Sequence, residues 1–432
     1  MKPIVAIVGR PNVGKSRLFN RLIGYRKAIV DDRPGVTRDR HYAVAEWAGR
    51  EFIVVDTGGI DFAPEANIES KVTKQSLEAI SQADVVLCLF DGRAEPTSHD
   101  RELARKLNET GKPIVFALNK IDTAGNEDQI YTYYELGLSS VVHCSAEHGR
   151  NVDAILEEVV KHFPPVQEDI EKAKGLRVTV LGRPNVGKST LINRLAGSER
   201  VVAHELAGTT RDAIDVDIEF DSQHYVFIDT AGLRKSFRVD EKVEKVSAMK
   251  SLRTIDRSDV VCFLLDAQEG ITHQDLSLAG FVNNEGKGLV LLVNKWDLVD
   301  TPWDEYVEGV QNRLKELFHV PILAISAKTG ANCLRIFNRI QHVHQMLNTK
   351  ISTAELNKFV KRAVEGHHLP VCKGKQINIY YATQTGTRPP TFTLFSNYPA
   401  AVPYIYRRYL MNRLAEEFNL QEVPVRLIFR KK

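Results

Sequence analysis

Apolar positions in the first third of the chain gather into short runs: Ile4 to Val8, Phe52 to Val55, Val85 to Phe90, Ile114 to Leu118 and Val141 to His143. Each run has strand length and is nearly unbroken, as expected of strands covered on both faces, and the stretches between them carry helical patterning. Such alternation predicts an α/β domain built on a doubly wound sheet.

The pattern is written twice. Gly9-Arg10-Pro11-Asn12-Val13-Gly14-Lys15-Ser16 returns 173 positions later as Gly182-Arg183-Pro184-Asn185-Val186-Gly187-Lys188-Ser189. Thr37-Arg38-Asp39 returns as Thr210-Arg211-Asp212, and Asp56-Thr57-Gly58-Gly59 as Asp229-Thr230-Ala231-Gly232, at the same offset. Asn119-Lys120-Ile121-Asp122 matches Asn294-Lys295-Trp296-Asp297 at 175, and Ser145-Ala146 matches Ser326-Ala327 at 181. The drift in offset places small insertions in surface loops, where they are tolerated. Residues 1–163 and 175–350 are therefore expected to be tandem domains. The polar, charge-rich segment 164–174 opens on Pro164-Pro165 and reads as a semi-flexible linker.

Beyond residue 350 the repeat is lost. The pattern predicts a helix from Thr353 to Val364, strands from Gln376 to Gln384 and Thr391 to Ser396, a helix from Pro403 to Phe418 and a strand from Val423 to Arg430. Residues 351–432 thus read as a small α+β domain. They hold 13 Lys and Arg against 5 Glu, a net +8 where the whole chain is +3, which leaves −5 for the first 350 residues.

With 432 residues, 43% hydrophobic and 26% charged, the composition excludes collagen-like, coiled-coil and wholly disordered chains. The longest apolar runs, Val85 to Phe90 and Val260 to Leu265, are far shorter than a membrane span requires. Met1-Lys2-Pro3 passes directly into a strand without a signal-peptide cleavage region, so a cytoplasmic address is expected. The five cysteines are scattered, with no CxxC or Cys/His spacing, and read as reduced thiols; Cys88 and Cys262 fall inside apolar runs as core residues.

GxxxxGKS following a strand is a phosphate-binding loop: its glycines let amide N–H groups at the start of the next helix face anionic oxygens. Lys15 and Lys188 are expected at the β- and γ-phosphates, and Ser16 and Ser189 on Mg²⁺. Asp56 and Asp229 end apolar strands, where a carboxylate reaches Mg²⁺ directly or through water, and Gly59 and Gly232 free an amide for the γ-phosphate. Thr37 and Thr210 lie in Gly-flanked loops suited to a segment that joins the metal and γ-phosphate only while triphosphate is bound. Asp122 and Asp297 can accept two hydrogen bonds from the N1–H and exocyclic amine of guanine, a donor pair that adenine lacks. Leaving such a carboxylate unpaired discriminates by about 10⁴-fold. Ser145-Ala146 and Ser326-Ala327 would buttress the base through backbone N–H groups. The full motifs, through Ile60 and Leu233, are expected to line GTP.

Taken together, these motifs resemble the translation-factor-type GTPases of the Era and TrmE branch. The tandem arrangement with a C-terminal α+β domain resembles the double-Era (EngA/Der) family over essentially the whole chain. The resemblance implies a GTPase that assembles the large ribosomal subunit through contact with the subunit or its precursor, with no membrane partner. It also implies a monomer off the ribosome and a KH-like third domain.

Departures from the pattern are few. Arg17 stands where the second loop has Thr190, and residues 366–374 contain no GxxG clamp. Ras-like GTPases place a water-orienting glutamine after DxxG, whereas this chain has Ile60 and Leu233, which cannot orient water, so intrinsic turnover should be slow. In resembling GTPases with this replacement the loop asparagine, here Asn12 and Asn185, helps hold a K⁺ ion at the phosphates; simple loop stabilisation is the alternative. Arg10 and Arg183 are conceivable arginine fingers, although their place in the loop favours solvent-exposed support. Tyr380, Tyr381, Phe392, Phe395, Tyr404, Tyr406 and Tyr409 suit either RNA stacking or the third domain's core. A nucleotide-stabilised RNA-binding scaffold and a P-loop ATPase are the rival readings, and both NKxD motifs count against the second.

Overall fold

A computed structural model of the chain describes residues 1–27, 42–57, 80–122, 130–134, 136, 138, 141–165, 175–198, 201–206, 215–228, 248–314, 320–367, 369, 371–372 and 375–432. The chain forms two compact units: the first sheet with its helices, and everything from the second sheet to the C-terminus.

The first unit is built on β1 (Ile4–Val8), β2 (Tyr42–Trp47), β3 (Arg50–Asp56), β4 (Val85–Asp91), β5 (Ile114–Asn119) and β6 (Val141–His143). They form one sheet in the order β2-β3-β1-β4-β5-β6. β1 is buried along its whole length and runs parallel to β3 on one side and β4 on the other. Crossovers leave it in opposite directions, which opens a crevice at the carboxyl ends of the strands. β2, which the apolar runs do not mark, pairs antiparallel with β3. The cause is local: Ala48 and Gly49 both adopt positive φ (48° and 75°), the requirement of a two-residue hairpin turn that returns the chain along its own edge.

The second unit repeats the plan with β7 (Leu176–Leu181), β8 (Val202–Leu206), β9 (Asp215–Phe220), β10 (Gln223–Phe227), β11 (Val260–Asp266), β12 (Gly288–Asn294) and β13 (Ile322–Ala324), in the order β13-β12-β11-β7-β10-β9-β8. β7 takes the place of β1, parallel to β10 and β11, and the β9–β10 hairpin turns at Asp221 and Ser222, again both at positive φ. Phe337 anchors the core under this sheet, stacked on Phe220 at 4.6 Å and tilted against Tyr225 at 4.9 Å.

Three longer strands complete the C-terminal region: β16 (Ile379–Gly386), β17 (Thr391–Ser396) and β18 (Arg426–Lys431) follow the short pair β14 (Val371–Cys372) and β15 (Lys375–Gln376). β16 and β17 pair antiparallel, whereas β17 and β18 run parallel. The strand expected from Gln376 to Gln384 is broken into β15 and β16. Two helices cover the sheet: Thr353–Gly366 buries Leu356, Phe359, Val360 and Ala363, and Tyr404–Glu417 buries Tyr406, Leu410 and Leu414. Tyr406 and Phe392 are thus core residues, while Tyr380, Tyr381 and Tyr404 are exposed.

The second sheet and this α+β region share one continuous apolar cluster, from Val178 to Leu427. Arg426 donates to the Asn284 carbonyl at 2.6 Å, and Arg388 donates to the Asn348 side chain at 2.6 Å while pairing with Asp259 at 3.5 Å. A Cβ on Gly286 would lie 2.3 Å from Pro389, so the two parts meet closely at a residue without a side chain. No described helix is long and apolar enough to cross a membrane.

Candidate nucleotide-binding sites

β1 and β7 each end in a loop whose backbone only glycine can complete. Gly9 and Gly182 have φ near +150°, and a Cβ would sit 2.3 Å from the Leu89 carbonyl oxygen or 2.4 Å from that of Leu264. Asn12 and Asn185 turn the loop through left-handed φ of 64° and 63°, and Gly14 and Gly187 follow at +98° and +99°. The chain then enters the helices Lys15–Lys27 and Lys188–Ala196, whose first amides carry the positive end of the helix dipole. Among the described residues no side chain caps Lys188–Ala196, and neither helix has an acidic residue in its first turn, so these amides face an open end suited to phosphate.

Lys15 reaches back over its loop to donate to the carbonyls of Gly9 and Arg10, both at 2.9 Å. Lys188 does the same with Gly182 at 3.0 Å and Arg183 at 2.7 Å. Burial lowers the Lys15 pKa, opposed by the Asp56 carboxylate. Asp56 ends β3 and is 3% exposed, and the neighbouring Thr57 hydroxyl donates to the Ile7 carbonyl at 2.8 Å, tying this strand end to β1. Ser16 in the first helical turn and Asp56 supply hard oxygen donors of the kind Mg²⁺ accepts, so the described residues of the first site fit that ion.

A buried asparagine locks each loop to the rest of its site. Asn119 donates to the Val13 carbonyl at 2.7 Å and accepts from the Ala146 amide at 2.9 Å; Asn294 makes the matching bonds to Val186 and Ala327 at 2.7 and 2.9 Å. A Cβ on Gly14 or Gly187 would lie 2.3 Å from these side-chain nitrogens, so the glycine is what lets the clasp close. Lys120 and Lys295, at positive φ, extend to Asp91 at 2.6 Å and Asp266 at 2.5 Å. Asp122 accepts from the Ser145 hydroxyl at 2.8 Å, and that bond, followed by Arg93, holds its carboxyl below the usual range. Ser326 and Ala327 are buried beside Asn294. Ile121 is buried, whereas Trp296 packs edge-on against Trp303 and Tyr306 at 5.0 and 5.2 Å.

Arg10 and Arg183 are neither solvent-exposed supports nor free fingers. Their guanidinium groups turn to carboxylates that are 0% and 1% exposed, Asp100 at 3.5 Å and Asp275 at 3.3 Å. Each aspartate is also the third residue of its helix and closes a capping box, receiving the amide and hydroxyl of Thr97 or Thr272. Arg21 and Arg194 tie the phosphate-loop helix to the loop behind the base, donating to Ala146 and Ala327, both at 3.3 Å. Sequence reasoning missed all four of these partners, although the repeated T-x-x-D spacing carried the capping signal. Pro11, Val13, Pro184 and Val186 lie in the two loops as expected, with both valines buried. Thr37, Gly58, Gly59, Ile60, Thr210, Asp229, Thr230, Ala231, Gly232 and Leu233 lie outside the described residues.

Comparison with known proteins agrees with this duplicated geometry. A family model described as 50S ribosome-binding GTPase matches residues 4–120 and again 177–295. A second, the C-terminal KH-domain-like module of EngA bacterial GTPases, matches 350–430. GTPase Der of Desulfitobacterium hafniense is 45% identical over 100% of this chain and 98% of that protein. The GTPases Der of Moorella thermoacetica and Geobacter metallireducens are 44% and 43% identical, each covering 100% of this chain and 99% of theirs. The chain belongs to the GTPase Der family. It is a GTP-hydrolysing enzyme with two GTPase domains and a KH-like C-terminal domain, and GTP is its substrate.

Proposed function

We propose that the chain is a cytoplasmic guanine-nucleotide switch whose two sites hydrolyse GTP during assembly of the large ribosomal subunit. The observation that carries this reading is the duplicated site: two phosphate loops, each clasped by a buried asparagine to the loop that would sit behind the base. In this reading Asp122 and Asp297 select guanine, and Lys15 and Lys188 exchange their loop carbonyls for phosphate oxygens. The amides opening each helix, with those of Gly59 and Gly232, receive the remaining phosphate charge.

Mg²⁺ would be held by Ser16, Asp56 and Thr37 in the first site and by Ser189, Asp229 and Thr210 in the second, where it offsets charge on the phosphates. Asn12 and Asn185 have exposed side chains at the loop crest, where each would contribute to a K⁺ site that stimulates turnover. Two features support a ribosomal partner: the description of the family model matching both domains, and the +8 net charge of residues 351–432, suited to a polyanion. Domain boundaries at 163, 174 and 350 belong to the same proposal.

The test is co-sedimentation of the full chain with isolated large ribosomal subunits, comparing GDP with a non-hydrolysable GTP analogue at low and moderate KCl. Analogue-dependent binding that survives moderate salt is expected. Binding that ignores nucleotide and vanishes with salt would remove the proposed target.

A further inference from the structure

The two base-recognition carboxylates differ in a way that the duplicated motifs do not announce. Asp122 has both oxygens engaged: Oδ1 accepts from Ser145, and Oδ2 is paired with the guanidinium of Arg93. Arg93 follows β4 by two residues and is exposed; its backbone amide bonds Asp91 at 3.1 Å, so the turn that presents it is held independently of the ion pair. His148 lies 3.9 Å from the same carboxylate. The second site keeps the turn but not the arginine: Gln268 occupies the matching position, with its amide bonded to Asp266 at 3.0 Å and its side chain exposed. Asp297 is exposed and has no hydrogen bond or ion pair among the described residues.

We propose that Arg93 is an internal competitor for the guanine-recognition carboxylate of the first site, making nucleotide entry there an exchange of one partner for another, whereas the second site is open. The inference rests on the reading of Asp122 as the guanine acceptor. A guanine that donates its N1–H and amine to Asp122 needs the oxygen that Arg93 holds, so binding must displace an ion pair. Ser145 is fully buried and approaches Oδ1 from within the site, whereas the exposed Arg93 guanidinium covers Oδ2 from the solvent side, the side from which a base arrives. The pair is solvent-exposed and therefore weak enough to yield, which fits a bias on affinity rather than a block. The bias is ionic: salt screens the Arg93–Asp122 pair and lightens the penalty at the first site alone.

The experiment measures GDP affinity by titration calorimetry on the full chain carrying Lys188→Ala, which weakens the second site and isolates the first. Adding Arg93→Gln, the residue of the second site, is expected to tighten GDP binding by about two- to five-fold, the scale of an exposed ion pair. The gain should shrink between 50 and 500 mM salt. Unchanged or weaker binding would overturn the proposal, the weaker result meaning that Arg93 helps to hold the nucleotide. Asp122→Ala in the same background separates the two readings. Loss of GDP binding there, without a gain from Arg93→Gln, sinks only the competitor; retained binding sinks the assignment of Asp122 itself.

Discussion

At the scale of single residues, the site depends on backbone shapes and buried amides more than on its charged groups. Gly14 and Gly187 combine positive φ with a position 2.3 Å from an asparagine nitrogen, so Gly14→Ala should unseat Asn119 and Gly187→Ala Asn294. Each substitution should abolish nucleotide binding at its own site and leave the other intact, as a titration with one site weakened would show. Asn119→Ala orphans the Ala146 amide and the Val13 carbonyl inside the core, at about 1–3 kcal/mol for each unsatisfied group. Urea unfolding should register that loss even without nucleotide. The glycines and the NKxD asparagines were legible in the sequence as motif letters. Their contact was not, because Asn119 and Val13 are brought together only when β5 and β1 enter one sheet.

Among elements, the duplicated capping boxes connect helix ends to the phosphate loops. Thr97→Ala removes the hydroxyl that donates to a fully buried carboxylate and accepts from the Asp100 amide, and should cost about 1–2 kcal/mol, the upper part of the range for a lost cap. Thr272→Ala should match it, whereas Ser352→Ala, in an exposed capping box, should cost less. Comparison of unfolding midpoints at constant denaturant slope checks the ranking. The buried parallel strands were readable nearly to the residue, since a strand covered on both faces must be apolar throughout. β2 was not, since its partly buried Tyr-Ala-Val-Ala-Glu-Trp pattern carries little apolar signal and its turn uses a non-glycine residue at positive φ. In the C-terminal region the split between β15 and β16 leaves no mark on hydrophobic periodicity.

The whole molecule is organised as two units although the sequence divides most visibly into three domains. The second GTPase domain and the KH-like domain share one core, so the full chain should melt in two calorimetric transitions rather than three. Removing residues 351–432 should lower the midpoint of the second and expose apolar surface to dye. pH acts on the same boundary. His344 is held below its usual pKa by burial and then by Arg388, with Asp259 opposing. Its neutral form is therefore the folded form, and the unfolded chain binds the proton first. Stability should be complete above about pH 6.5 and decline as the pH falls through that value toward the folded pKa. His344→Gln should flatten this dependence in the second transition only.

The claim beneath all of these is that one chain carries two complete guanine-nucleotide sites. Titration calorimetry of the nucleotide-free full chain with GDP in Mg²⁺, set against ADP, tests it most directly. The account predicts two GDP per chain, a fall to one with either Lys15→Ala or Lys188→Ala, and no heat from ADP. A single GDP per chain in the unmodified protein, or ADP titrating as GDP does, would contradict it.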